Sequence, residues 1–232
     1  MPYVKSAVFW FIGLLAILLI GFWKSYFSII LSGPDSTHHF HGLAMLAWVL
    51  LLINQAWLAR SKKLDLHRKT GKLSYVIAPL VVISGAMVSF HNIAQFENPL
   101  TPPALSIFHL GLFSVFAYAV LYVLAMVHRK SVHYHAPYMI ATALVFLVPG
   151  LSRTMGQYVA PSGFPALDFY QCLYVPLAIS LALVAWEWRT GRVRSPFIVF
   201  SVLWAAMLVL WHVLPHLTAW QRFTAWAASV GG

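Results

Sequence analysis

The chain has 232 residues, of which 61% are hydrophobic and only 9% charged, a surface too apolar for a soluble domain, so residues 1–232 read as a single integral membrane domain. Its formal charge of +10 is not a nucleic-acid signal, because the basic residues fall in short loops between apolar runs. The lone Cys172 excludes an internal disulfide, a four-cysteine iron–sulfur cluster and a CxxCH haem attachment. Five acidic residues leave little material for carboxylate hydrolysis, a carboxylate-bridged di-iron site or an acidic proton relay.

Seven apolar runs are long enough, at about 1.5 Å per residue, to cross a hydrocarbon core of about 30 Å. They are 7–31, 39–59, 73–91, 104–127, 136–156, 169–188 and 197–214. Backbone groups in lipid must be paired within their own segment, so the expected fold is an all-α, seven-transmembrane-helix bundle. The first run has no small-residue cleavage site and reads as a retained span. Pro79, Pro149 and Pro176 predict kinks. Lys5, the stretch 60–72, Arg129, Lys130, Arg189, Arg192 and Arg194 share one face, whereas Asp35, Glu97 and Asp168 share the other. The positive-inside rule then puts the N-terminus in the cytoplasm and the C-terminus outside, as expected for a bacterial inner membrane. Trp23, Trp57, Trp186, Trp188 and Trp211 read as an interfacial belt. Leu217, Trp220, Phe223 and Trp226, at intervals of three, predict a short helix lying in the outer interface.

The histidines carry the chemistry. HGLAMLAWVLLLINQAWLARSKKLDLH and HLGLFSVFAYAVLYVLAMVHRKSVHYH each begin with histidine at the outer end of a descending span and end with histidine where the next ascends. The pairs His41/His67 and His109/His135 have the same 26-residue spacing, a weak internal repeat. Antiparallel neighbours would bring His41 and His109 together near the outer surface, and His67 and His135 near the inner one. Two imidazoles reaching one iron from opposite sides are what haem b ligation requires. Trp48 and Gln55 follow His41 at intervals of seven, so His41 is expected to face the bundle interior. His67 lies inside KKLDLHRKTGK, where an exposed cytoplasmic histidine in a basic loop is the favoured reading over a ligand.

The outer level holds further imidazoles. His39, His41, His91, His109 and His212 together form a candidate site for copper, iron or zinc, while His38 is expected to face water or headgroups. Arg153, just after Pro149-Gly150, is a candidate to pair a haem propionate or a bound anion. Histidines tolerate interfaces, so a bundle in which they only satisfy headgroups remains an alternative.

HFHGLAMLAWVLLLINQAWLARSKKLDLHRKTG, with FWKSYF before it and HAPYMIATALVFLVPGLSR after it, resembles an uncharacterised bacterial family of multi-pass inner-membrane proteins marked by HxHG and LHRxxG motifs. That resemblance implies a fold and no reaction. The histidine layout is also distantly similar to the transmembrane dihaem cytochrome b family, which implies His41 with His109 and His67 with His135 as ligand pairs. Three readings follow. The first is a membrane redox protein that binds haem b and moves electrons across the bilayer, with a quinol or respiratory-chain component as partner. The second is a non-haem metal enzyme or oxidase-assembly factor with an outer histidine site. The third is a non-redox carrier or accessory subunit.

Overall fold

The computed structural model describes residues 2–191 and 195–231; Arg192 and Arg194 lie outside them. The helices in chain order are α1 (Pro2–Phe22), α2 (Ser36–Arg60), α3 (Leu64–Gly71), α4 (Ser74–Ala94), α5 (Pro102–Val127), α6 (Val132–Val145), α7 (Leu147–Thr154), α8 (Phe169–Arg189), α9 (Ser195–Val213) and α10 (Thr218–Val230). Seven spans are long and apolar enough to cross a membrane, with α6, α7 and the turns after them forming one span.

Packing closes a ring. α1 lies against α2, α2 against α4, α4 against α5, α5 against α6, and α7 returns to α1. α9 packs outside α5 and α6, with α8 against α9 and α7. Apolar burial does not drive helices together in lipid; close approach and hydrogen bonds do. The α1–α7 contact shows this, because a Cβ on Gly21 would stand 2.3 Å from the Gly150 carbonyl oxygen. α2 shows both faces of a lipid-embedded helix. Leu43, Leu50 and Trp57 are exposed at intervals of seven. His41, Trp48 and Gln55 take the opposite register, and Trp48 is completely buried.

Several expectations need correction. α1 stops at Phe22 rather than near residue 31, and the chain turns through Phe27–Ile29 toward α2. There Lys24 Nζ donates to the Gln157 carbonyl and lies 4.6 Å from the Tyr158 ring centre. The stretch 60–72 is not all loop, since it contains α3. The fifth span breaks at Phe146, three residues ahead of Pro149, which has no N–H to continue the ladder. Trp211 is buried rather than part of a belt; it packs on Phe169 and Tyr170, and its carbonyl accepts from Ser106 Oγ. The short helix expected after the last span is α10, and it docks on α4 and α5. Trp220 and Phe223 stack on Phe108, and Trp220 Nε1 donates to the Leu105 carbonyl.

Candidate functional site

At the basic end, α3 folds back beneath α2 and is held there by Gln55. With its amide turned so that oxygen meets donors, Gln55 accepts from Thr70 Oγ1 at 2.7 Å and from Gly71 N at 3.2 Å. Its nitrogen donates to the His67 carbonyl at 2.9 Å. A Cβ on Gly71 would stand 3.1 Å from the end of the Gln55 amide, at the atom that is its nitrogen in this orientation, a tight contact that favours the glycine. The glutamine and the LHRxxG motif are therefore two halves of one clasp. Of the side chains on α3, those of Leu64, Asp65, Leu66, Arg68 and Lys69 are exposed, whereas His67 is turned partly inward.

That turn brings His67 to His135, with ring centres 6.5 Å apart and planes at 86°. His135 Nδ1 donates to the Ala125 carbonyl at 2.9 Å, which leaves Nε2 as the lone-pair nitrogen of the neutral ring. His67 Nδ1 is 3.2 Å from the Gln55 carbonyl and 2.9 Å from the Gln55 amide nitrogen. In that orientation the Gln55 amide donates to Nδ1, so the neutral ring carries its proton on Nε2; the other tautomer would donate from Nδ1 to the Gln55 carbonyl and free Nε2. His128, on the same end, donates from Nδ1 to Leu124 in its own helix and packs on Tyr134 and Tyr138.

Mid-bundle space is filled by Trp48 edge-on to Tyr118 and Tyr122, at 5.2 and 5.5 Å between ring centres. Tyr122 donates to Ser74 Oγ. Trp48 Nε1 and the Tyr118 hydroxyl are buried without a hydrogen-bond partner in the protein. The hydroxyl belongs to a residue lining a cavity of about 340 Å³ bounded also by His41, Gly85, Gly111, Pro149 and Arg153. A second cavity of about 330 Å³ shares His41, Met45, Pro149 and Arg153 with it and reaches Tyr26 and His38. Arg153 lines both spaces but is exposed; it donates to the Pro149 carbonyl and lies 4.4 Å from the Phe22 ring centre.

His41 and His109, expected to face one another, serve different helices. His41 Nδ1 meets Ser84 Oγ on α4 at 3.2 Å. His109 is buried and donates from Nε2 to the Met207 carbonyl on α9 at 3.1 Å, with Phe113 and Trp220 against its ring. The spacing repeat could not show this, because α9 lies outside the repeat. The five-histidine outer set is divided as well. His39 Nδ1 pairs with the Tyr26 hydroxyl at 3.0 Å, and His212 is exposed.

His91 instead joins Asp35 and His38. His91 Nε2 and His38 Nδ1 lie 2.9 and 2.8 Å from the same oxygen, Asp35 Oδ2. The other carboxylate oxygen accepts from the Thr37 and His38 amides and caps α2. Burial alone would raise this carboxyl, but hydrogen bonds from the His38 amide and ring, with the charges of His38 and His91, hold it at about 2. His38, with 37% of its side chain exposed, thus meets water as expected and also pairs with Asp35. An aspartate three residues before a histidine at a helix start is the available signal, but in the sequence Asp35 counts only toward the charge of the outer face.

Fold and site define a seven-helix integral membrane protein whose histidines gather at both ends of a helix ring around a partly polar interior. No protein-family model, characterised protein or solved structure matches the chain.

Proposed function

We propose that this is a redox protein of the bacterial inner membrane that holds haem b between His67 and His135 near its cytoplasmic, basic end. The observation that carries the reading is the pairing of the two rings. Two imidazoles held by different helices beside one another are the residues that would hold a haem iron. The rings stand 6.5 Å apart. Bound there, haem would supply one-electron transfer. The chain's own residues do the rest. The Ala125 carbonyl fixes the His135 ring and Gln55 the His67 ring, and haem would require the His67 tautomer that donates from Nδ1 to the Gln55 carbonyl, the usual second contact of a ligating histidine. Lys69 and Lys72, exposed on the same end, suit the haem carboxylates. The Trp48–Tyr118–Tyr122 cluster fills the core between this level and the His41 cavities, about 21 Å away along α2. A quinol entering from the bilayer would find acceptors and donors there in His41, Tyr118 and Arg153.

The test is a reduced-minus-oxidised spectrum and a haem-to-chain ratio for detergent-purified protein expressed with haem supplied. The expected result is about one haem per chain, lost in His67→Ala and in His135→Ala and kept in His109→Ala. Folded protein lacking a Soret band under these conditions, or retention of haem in both end-pair variants, overturns the reading.

A further inference from the structure

We infer that Asp35, His38 and His91 form a binding site for one divalent transition-metal ion at the end of the bundle opposite His67 and His135. Two imidazole nitrogens and one carboxylate oxygen converge with all three ligand atoms within 4.8 Å of one another. The donor set arises from packing, since Asp35 and His38 open α2 whereas His91 lies in the last turns of α4. Around a tetrahedral ion with bonds of about 2 Å, neighbouring ligand atoms stand about 3.3 Å apart. The present separations of 2.8 and 2.9 Å need to open by only a few tenths of an ångström for an ion to replace the shared protons.

The carboxylate is already aimed. Its Oδ1 is fixed by the Thr37 and His38 amides, at 2.8 and 3.0 Å, so Oδ2 is presented to the two rings without further ordering. A nitrogen and oxygen set without thiolate suits zinc, iron(II), nickel or copper(II), and three protein ligands leave a coordination position open. His38 also lines the 330 Å³ cavity shared by His41 and Arg153, so that position adjoins a space large enough for a small ligand. The site shares no residue with the His67/His135 pair and stands or falls separately from it.

The competing use of the same atoms is a hydrogen-bonded tie between α2 and α4, with no ion. Full-length protein stripped with chelator in detergent and titrated with zinc chloride by calorimetry, and with cobalt(II) by visible absorption, separates the two. The expected result is one ion per chain, with protons released on binding and a tetrahedral cobalt spectrum. Asp35→Asn keeps an effective helix cap, so it tests the ligand without removing the fold. It and His91→Ala should each bind zinc at least about 100-fold more weakly, whereas His212→Ala should bind as the parent does. No saturable zinc or cobalt binding by the parent, or undiminished binding by folded Asp35→Asn and His91→Ala, overturns the site and leaves the hydrogen-bonded tie alone.

Discussion

Replacing Gln55 by leucine removes the clasp on α3 while keeping side-chain volume nearly constant. Besides a contact to His67 Nδ1, the wild-type amide makes three contacts to α3, with the His67 carbonyl, Thr70 Oγ1 and Gly71 N. Hydrogen bonds within membrane proteins are worth about 0.6 kcal/mol each, rising to about 1. Loss of three gives about 2 kcal/mol, and for a chain of this size that corresponds to a melting shift of about 4–8 °C. Circular dichroism melts in detergent read the shift, and the helix content at low temperature should stay unchanged because the spans themselves are untouched. Gln55→Glu is the informative partner. Its oxygens still accept from Thr70 and Gly71, but it cannot donate to the His67 carbonyl, so its loss should be intermediate. Where haem is bound, both variants should also weaken its retention, because His67 is positioned through the same helix. A Gln55→Leu protein that melts within about 1 °C of the parent would refute the clasp.

Gly21→Ala should destabilise the bundle by at least about 2 kcal/mol in detergent unfolding, since its Cβ would sit 2.3 Å from backbone at Gly150 and neither backbone can swing aside. Tyr118→Phe should leave the unliganded protein as stable or more so, because the buried hydroxyl has no protein partner to lose; a clear drop in melting temperature would show that it is paired. Asp35 should contribute stability at pH values above its ordinary 3.8, and that contribution should fade as pH falls toward about 2, where the folded carboxyl protonates. Melts of metal-free parent and Asp35→Asn should therefore differ at neutral pH and converge under acid. If haem is held by rings at 86°, the oxidised protein should give a strongly anisotropic low-spin resonance spectrum.

The spans were legible because each is a continuous apolar run, and lipid permits only helix there. The inward face of α2 was legible too, since His41, Trp48 and Gln55 break an otherwise apolar helix at intervals of seven. α3 was not. KKLDLHRKTGK is charged almost throughout, and its order comes from Gln55 on another helix rather than from its own composition. His109 went astray for a related reason. Its spacing from His135 copies that of His41 from His67, but spacing cannot reveal that the Met207 carbonyl on α9 lies within reach and takes the ring's proton.

The three imidazoles of HHFHG show how helix geometry divides one short motif among separate tasks. Successive residues on a helix turn by about 100°, so His38 and His39 diverge at once, and His41 comes back within about 60° of His38. His39 accordingly meets Tyr26 in the segment that follows α1. His38, at the mouth, meets Asp35 and faces His91 with ring centres 5.4 Å apart. His41 lies about 4.5 Å deeper along the axis, where its neighbour is no longer the end of α4 but Ser84 and the cavities beneath. α2 and α4 run antiparallel, so going down α2 from His38 to His41 runs back along α4 from His91 to Ser84. One pair of packed helices thus carries an acidic mouth and, less than a turn below it, a nearly neutral histidine–serine contact. An ion held at the upper level would place a positive charge close to the His41 ring, and would raise the cost of protonating it. With such an ion bound, the order of the residues along α2 would couple the mouth to the interior without any moving part.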